Sequence, residues 1–192
     1  MSQHHILIGI TGGIAAFKTA ALTSRLVQDR FDVTVVMTEA AEKFVGAATF
    51  AALTGRRVAK ELFDDRLPLG AHIELARGAD LLCVAPATAD FLAKAAQGRA
   101  DDLLSALYLC FPGPTLFAPA MNVEMWAKPA VQRNIKQLTD DGVQLIGPES
   151  GWLSCREQGP GRMADPDRIY DRVRELCVQK PDDTAASGRE QR

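Results

Sequence analysis

Residues 6–27 read ILIGITGGIAAFKTAALTSRLV and contain the pattern on which the predicted fold depends. The apolar run at 6–10 predicts a buried strand, and a glycine-rich turn leads from it directly into a helix from Ile14 to Val27. We expect this helix to have an apolar face made of Ile14, Phe17, Ala21, Leu22 and Leu26. Glycines in such a turn let a phosphate reach backbone N–H groups at the positive end of the helix. In other proteins the glycines of a strand-to-helix turn serve only to form the turn. This loop therefore has two interpretations, a phosphate site or a plain turn.

Four further apolar segments predict the other strands of a parallel sheet. They lie at 33–37, 81–85, 115–118 and 143–146, with helix-compatible stretches between them. Strands that are apolar on both faces need helices on both sides, because each crossover between parallel strands places a helix on the sheet. The sequence therefore predicts one α/β domain with a doubly wound, Rossmann- or flavodoxin-like sheet. Such sheets bind ligands at the carboxyl ends of their strands, so we expect the site in the loops that follow them.

Size, charge and cysteine content narrow the class of protein. Of the 192 residues, 47% are hydrophobic and 24% charged, which fits one domain over 1–180, with a polar, disordered tail at 181–192. A formal net charge of -2 argues against nucleic-acid and membrane partners and favours a small molecule. The absence of a signal peptide and of an apolar run of about 20 residues favours the cytoplasm. The spacing of the cysteines fits neither disulfides nor a metal site, and core burial is enough to explain Cys83, Cys110 and Cys177.

Three of the expected loops carry polar side chains that fit either a ligand or a helix cap. Thr38 follows the second strand, where a hydroxyl suits a phosphate, but T-E-A-A-E (38–42) also resembles a capping box. Thr88 and Asp90 follow the third strand and can bind the polar edge of a flat ligand, although capping by Thr88 is slightly favoured. Asn122 follows the fourth strand between two methionines and a tryptophan. If the methionines and the tryptophan form the apolar wall of a pocket, Asn122 is a polar anchor for a carboxylate or amide. The alternative is that these apolar side chains simply pack in the core.

The segment from Gly147 to Met163 is the most unusual part of the chain. Its four glycines and two prolines argue against regular secondary structure, and its length favours a lid or binding loop over a disordered connector. We expect it to bury its apolar side chains, Trp152, Leu153 and Met163. Cys155 stands in this segment outside any apolar pattern, so core burial explains it poorly. His72 is the one histidine away from the N-terminus, and a lone histidine is more often structural than catalytic.

Five motifs together resemble those of a known family. They are TGGIAAFK (11–18), HIEL (72–75), APATAD (85–90), PAMNVEMW (119–126) and CREQGPGRM (155–163). In their order and spacing, over about residues 5–178, the chain resembles the flavin-containing cysteine decarboxylases, and most closely the branch that acts on 4′-phosphopantothenoyl-L-cysteine. The resemblance implies FMN as the cofactor, bound by Gly12, Gly13, Ile14, Thr38, Thr88, Ala89, Asp90 and Ala120. It implies that the catalytic residues are His72, Cys155 and Asn122.

The resemblance also implies a substrate and a reaction. Asn122 would hold the substrate carboxylate with Met125 beside it, and we interpret Arg162 as either the ligand of the substrate phosphate or an ordinary solvated arginine. The substrate thiol would be oxidised to a thioaldehyde, CO₂ would leave to give an ene-thiol, and reduction would yield 4′-phosphopantetheine for coenzyme A biosynthesis. Cys155 is the implied proton donor of the last step. The alternatives are a peptidyl-cysteine decarboxylase, whose known examples lack this cysteine, and a non-catalytic flavoprotein regulator.

The chain departs from the family pattern in two places, and the resemblance also implies an oligomeric state. Asp101 stands where asparagine is usual, which puts any contact of that amide in doubt. Ser154 and Arg156 flank the lid cysteine where alanine and glycine are usual, which stiffens the backbone there. The family forms trimers or multiples of trimers with FMN at subunit contacts, so we expect a homo-oligomer in which His72 serves a neighbour's flavin. We also expect the upstream phosphopantothenate–cysteine ligase to be a separate protein.

Overall fold

The computed structural model describes residues 4–178, and the predicted tail at 181–192 lies outside the described residues. A parallel sheet forms its centre, with the strands β1 (His5–Ile10), β2 (Asp32–Met37), β3 (Leu81–Ala87), β4 (Thr115–Pro119) and β5 (Gln144–Leu145). The strand order is β2-β1-β3-β4-β5. This is the flavodoxin-like order of a doubly wound sheet, so the predicted fold class is confirmed.

Helices cover both faces of the sheet because successive side chains of each strand point to opposite sides. The helices are α1 (Ala16–Gln28), α2 (Ala47–Thr54), α3 (Ala71–Ala76), α4 (Ala89–Ala96), α5 (Leu103–Cys110), α6 (Val123–Ala127), α7 (Pro129–Asp140) and α8 (Pro166–Val178). Ile6, Ile8 and Ile10 pack into the core that α1 and α8 cover. Leu7 packs into the opposite core with α4 and α5. Among the described residues, no helix is both long enough and apolar enough to cross a bilayer.

The predicted apolar face of α1 is partly wrong. The helix begins at Ala16, and its buried residues are Ala16, Thr19, Leu22, Thr23 and Leu26. Ile14 and Phe17 are 53% and 59% exposed, and Ala21 is exposed as well. The reason is that threonines occupy part of the buried face: the Thr19 hydroxyl donates to the Ala85 carbonyl oxygen over 2.7 Å and so satisfies its polar atom inside the core.

The glycine- and proline-rich segment forms regular structure, contrary to expectation. Strands β6 (Glu149–Trp152) and β7 (Gln158–Arg162) pair as an antiparallel hairpin, called the hairpin below. Proline is tolerated because each strand of a two-stranded ribbon has an unpaired edge that needs no N–H donor. Leu153 and Met163 are buried as expected, but Trp152 is 67% exposed.

The prediction that three cysteines are buried in the core is confirmed for two of them and wrong for the third. Cys83 and Cys177 are buried, and burial raises the pKa of the Cys83 thiol to about 12. Cys110 is exposed instead, because it is the last residue of α5 and lies at the edge of the fold. Its Sγ donates to the carbonyl oxygen of His72 over 3.3 Å.

Candidate functional site

A cavity of about 880 Å³ opens at the carboxyl ends of the strands. It lies where the connections from β1 and β3 diverge to opposite sides of the sheet, which is the topological switch point of a doubly wound fold. Its walls come from the loops after β1, β2, β3 and β4 and from the hairpin. The sheet topology therefore brings together segments that are far apart in the sequence.

The loop after β1 is packed so closely that one of its positions has room only for glycine. A Cβ atom on Gly12 would lie 2.4 Å from the Cβ atom of Ala40, in the 3-10 helix Glu39–Lys43 that follows β2. Thr11 joins the same loop to the loop after β3, since its hydroxyl donates to the Pro86 carbonyl oxygen over 2.7 Å and accepts from the Thr88 N–H over 3.0 Å. Three loops thus form one continuous rim.

Both threonines that sequence analysis left open act as helix caps and also line the cavity. The Thr38 Oγ1 accepts from the Ala41 N–H over 3.3 Å, and the Thr88 Oγ1 accepts from the Phe91 N–H over 3.5 Å. By contrast, the N-cap residue of α1 is Ala15, which has no polar side chain to cap the helix. In the first turn of α1 the Ala16 and Lys18 N–H groups donate to the carbonyl oxygens of Gly13 and Ala15 over 2.9 and 3.0 Å. What this turn offers a ligand is therefore the positive end of the helix dipole.

The side chain of Asn122 is fixed so that its amide nitrogen remains available. Its Oδ1 caps α6 by accepting from the Met125 N–H over 2.8 Å. The two hydrogens on Nδ2 are the donors that a carboxylate needs. The loop is held by the hairpin, since the Met121 N–H donates to the Gly161 carbonyl oxygen over 3.0 Å. Gly161 has φ +137°, and a Cβ there would lie 2.2 Å from the Met121 oxygen, so only glycine fits.

The hairpin presents Cys155 in its turn and is fastened at its base by Glu149. Cys155 is exposed, and its Sγ donates to Glu157 Oε2 over 3.4 Å. Glu149 accepts from Arg162 Nη2 over 2.8 Å and from Arg168 Nη1 over 2.7 Å. Burial by itself would raise the pKa of Glu149, but these hydrogen bonds outweigh it and the pKa is lowered. Glu149 therefore connects both hairpin strands to α8 as a carboxylate.

A second charged cluster stands on the side of the cavity formed by α4 and α5. Lys94 Nζ lies 3.0 Å from carboxylate oxygens of both Asp101 and Asp102 and 3.5 Å from Asp90 Oδ2. Burial alone would lower the pKa of Lys94, but the hydrogen bonds to Asp101 and Asp102 overcome it and the pKa is raised. The Lys94 hydrogen bond in turn lowers the pKa of Asp101. The aspartate that replaces the usual asparagine is thus paired within its own chain.

The comparison with known proteins agrees with this architecture. The model of the Flavoprotein family matches residues 1–178. The chain belongs to the Flavoprotein family. Among its relatives, the coenzyme A biosynthesis bifunctional protein CoaBC of Haemophilus influenzae is 43% identical over 183 residues, 95% of this chain and 46% of that protein. CoaBC of Bacillus subtilis is 44% identical over 170 residues, 88% of this chain and 42% of that protein. The chain therefore spans less than half the length of these relatives.

Solved structures of Flavoprotein-fold decarboxylases superimpose on most of the chain. The FMN-dependent cysteine decarboxylase SpaF has a TM-score of 0.81 at 35% identity, covering 92% of this chain and 97% of that one. A mutant PPC decarboxylase in complex with pantothenoylaminoethenethiol has a TM-score of 0.83 at 29% identity, covering 91% and 98%. The predicted family is confirmed.

The cavity of this Flavoprotein-family chain brings together all but one of the predicted site residues. Its lining includes Gly12, Gly13, Ile14, Thr38, Thr88, Ala89, Asp90, Ala120, Asn122, Met125, Cys155 and Arg162. His72 is the exception: it lies on α3, outside the lining, and within the described residues its buried Nδ1 has no hydrogen-bond partner.

Sequence reasoning missed several residues of the lining. Thr11 and Lys18 lie in the quoted TGGIAAFK motif but received no role, and Phe17 was assigned to the apolar face of α1 instead of to the cavity. Lys94 follows Asp90 by one helical turn, and that spacing was the available signal for it. For Trp152 the only signal was an apolar side chain in a loop, which sequence analysis interpreted as a buried residue.

Proposed function

We propose that this chain binds FMN and decarboxylates 4′-phosphopantothenoyl-L-cysteine to 4′-phosphopantetheine in coenzyme A biosynthesis. The observation that carries the proposal is that four of the five cysteine decarboxylase motifs meet in one cavity at the switch point. The likeness to CoaBC proteins and to PPC decarboxylase supports the same activity. Because the chain spans less than half of the CoaBC proteins, only the decarboxylase step is proposed for it.

The residues around the β1 and β3 loops fit a flat, phosphorylated cofactor. The glycine-rich loop after β1, the positive end of α1 and the Thr38 hydroxyl line the cavity and suit a phosphate group. Gly13, Thr88 and Ala89 are small and leave a smooth wall for a planar ring system. When bound there, FMN supplies the two-electron oxidation and re-reduction that make loss of CO₂ from a cysteine possible.

Asn122 is proposed to orient the substrate carboxylate. Its Oδ1 is occupied by the Met125 N–H, so Nδ2 can donate to a carboxylate without a change of rotamer. A neutral amide holds the group without the strong ground-state stabilisation that a cation would give, so departure of CO₂ remains easy. Met125, which is 45% exposed, adds an apolar wall that excludes water once substrate is bound.

Cys155 is proposed to deliver a proton to carbon during the final reduction. It stands in the hairpin turn on the cavity lining, where the thiol hydrogen is directed to Glu157 until a substrate covers the site. A thiol is a suitable general acid because it releases its proton near neutral pH more readily than a hydroxyl does. Serine at this position should therefore stop the reaction after decarboxylation.

His72 is proposed to act in the cavity of a neighbouring copy in a homo-oligomer. It lies outside the cavity of its own chain. Large apolar side chains are exposed nearby along the chain and on the helix that packs against α3, as expected for a surface that another subunit covers. They are Phe63, Leu69 and Leu109, which are 87%, 58% and 47% exposed. Chains carrying His72→Asn and chains carrying Asn122→Ala should each be inactive, and mixed oligomers should regain activity.

The central experiment is an absorbance spectrum followed by a substrate panel. We expect purified protein supplemented with FMN to show bound-flavin bands and to release CO₂ from phosphopantothenoylcysteine. Cys155→Ser should release CO₂ but accumulate the oxidised product and reduced flavin, whereas the exposed Cys110→Ser control should turn over normally. The similarity to SpaF favours, as a second candidate, a different cysteine substrate such as the C-terminal cysteine of a peptide. Consumption of the peptide and not of phosphopantothenoylcysteine would establish that alternative.

A further inference from the structure

The loop that carries Asn122 leads from the central sheet into a helix with no anchor in the core. Ala120 ties the start of the loop to the sheet, since its N–H donates to the Ala87 carbonyl oxygen over 3.1 Å. None of the five residues of α6, the helix that Asn122 caps, is buried. A short helix needs tertiary packing to hold it in place. The position of Asn122 therefore depends on contacts outside the core.

Strand β7 of the hairpin supplies such contacts on both sides of Asn122. Before Asn122, the Met121 N–H donates to the Gly161 carbonyl oxygen over 3.0 Å. After it, Val123 lies against Gly159: a Cβ atom on Gly159 would be 2.8 Å from Val123 Cγ2 and 3.4 Å from Val123 Cγ1. The valine side chain thus packs directly on the backbone of the hairpin, and this contact leaves no room for a methyl group.

Space, and not backbone conformation, is what requires glycine at position 159. Unlike Gly161, Gly159 does not have a positive φ, so alanine can adopt its backbone angles. An added methyl would meet the γ-methyls of Val123, a β-branched side chain with few alternative rotamers. The clash is therefore relieved by movement of the hairpin and the start of α6 away from each other. Asn122 directly precedes Val123 and moves with it.

We propose that Val123 and Gly159 are positioning residues for Asn122. Their contact sets the distance between the hairpin and the start of α6, and with it the place from which Asn122 Nδ2 donates to the substrate carboxylate. The inference rests on the proposed function, in which Asn122 binds that carboxylate. It also links two parts of the site, because Cys155 lies in the turn of the same hairpin. The donor to the carboxylate and the proposed proton donor are thereby fastened to one element.

The test uses two analogues of the substrate that have no thiol to oxidise. 4′-Phosphopantothenoyl-L-serine keeps the carboxylate and has a hydroxyl in place of the thiol, whereas 4′-phosphopantothenoylethanolamine has the hydroxyl and no carboxylate. Calorimetry on the FMN-loaded protein gives the ratio of their affinities, called the carboxylate preference below. We expect wild type to prefer the serine analogue about tenfold or more, because a charge-assisted hydrogen bond has that magnitude.

Two single variants and their combination test the contact. Gly159→Ala overpacks it and should reduce the carboxylate preference about fivefold or more, and Val123→Ala leaves it unfilled and should reduce the preference about threefold. In the double variant the added methyl occupies space that the valine methyls leave, so the preference should return to within about twofold of wild type. Binding of the ethanolamine analogue should change less than about twofold throughout. Gly46→Ala is the matched control, since Gly46 has φ -70° and no atom lies within 4 Å of an added Cβ.

The inference is overturned if Gly159→Ala weakens binding of both analogues equally, if it leaves the carboxylate preference unchanged, or if adding Val123→Ala does not restore that preference. If Gly159→Ala does not fold, Val123→Ala alone decides, and an unchanged preference in that variant overturns the inference. A wild type without a carboxylate preference overturns both the role of Asn122 and its positioning. A wild type that has the preference but releases no CO₂ from phosphopantothenoylcysteine overturns the proposed function and leaves the positioning of Asn122 intact.

Discussion

Replacing Gly12 with alanine tests the packing of the loops that form the cavity. The added methyl would lie 2.4 Å from the Cβ atom of Ala40 and 3.0 Å from its backbone carbon, neither of which belongs to a flexible side chain. The loop after β1 and the 3-10 helix after β2 must therefore move apart by about 1 Å to restore ordinary contact. Overpacking of this kind costs about 1–3 kcal/mol.

The neighbouring glycine supplies a matched control. A Cβ on Gly13 would lie 3.4 Å from Thr88 Cγ2 and 3.9 Å from Pro86 Cγ, which are ordinary contact distances. We expect Gly13→Ala to change the free energy of unfolding by less than about 0.5 kcal/mol. Flavin affinity should fall in Gly12→Ala because the rim that holds the cofactor phosphate is displaced.

Urea unfolding of the two variants and wild type, at one protein concentration and without added flavin, measures the difference. Tryptophan fluorescence and circular dichroism should give coincident transitions, and the linear extrapolation then gives the free energy of unfolding. Gly12→Ala should be less stable than Gly13→Ala by at least about 1 kcal/mol. Equal stability of the two variants would refute the claim that Gly12 is required by its contact with Ala40.

Four further predictions concern charge and backbone conformation. The pKa of Glu149 is lower in the folded chain than its ordinary value. The stabilisation by ionised Glu149 is therefore fully present above the ordinary pKa and is lost as the pH falls through the lowered pKa of the folded chain. Glu149→Gln should remove this loss of stability in acid, and an unchanged dependence of the unfolding free energy on pH would contradict the assignment. Asp101→Asn should strengthen FMN binding by up to about fivefold at low salt, because it removes a negative charge beside Lys94, and the gain should vanish in high salt. Arg30 and Arg156 both have φ +66°, where glycine is unstrained. Arg30→Gly should therefore stabilise the protein by about 0.5–1 kcal/mol in urea unfolding, while Arg30→Ala should give no such gain. Arg156→Gly should slow hydrogen exchange in the hairpin turn, and faster exchange there would contradict this reasoning.

Sequence analysis was most reliable where a pattern is local. The strand at 6–10 and the turn after it were predicted because an apolar run and adjacent glycines are visible within a few residues. The apolar face of α1 was misjudged, because Thr19 is polar in the sequence but pairs with the Ala85 carbonyl oxygen in the fold. The hairpin was missed for a related reason. Glycine has a low strand propensity, but Gly151 and Gly159 pair across the two strands, and that pairing stabilises the strands.

The sequence by itself determined the fold class, the family and the group of predicted site residues that line the cavity, since these follow from short motifs placed at the ends of apolar strands. Only the tertiary structure decided which charges are available for a ligand. Lys94 pairs with Asp101 and Arg162 pairs with Glu149, whereas Lys18 has no ion-pair partner within residues 4–178, which the structure describes. It also placed His72 outside the cavity of its own chain. The physical reason is that ion pairing and burial depend on distances of a few ångströms between side chains. Arg162 and Glu149, for example, lie on different strands, and the sequence alone does not show that the two strands pair.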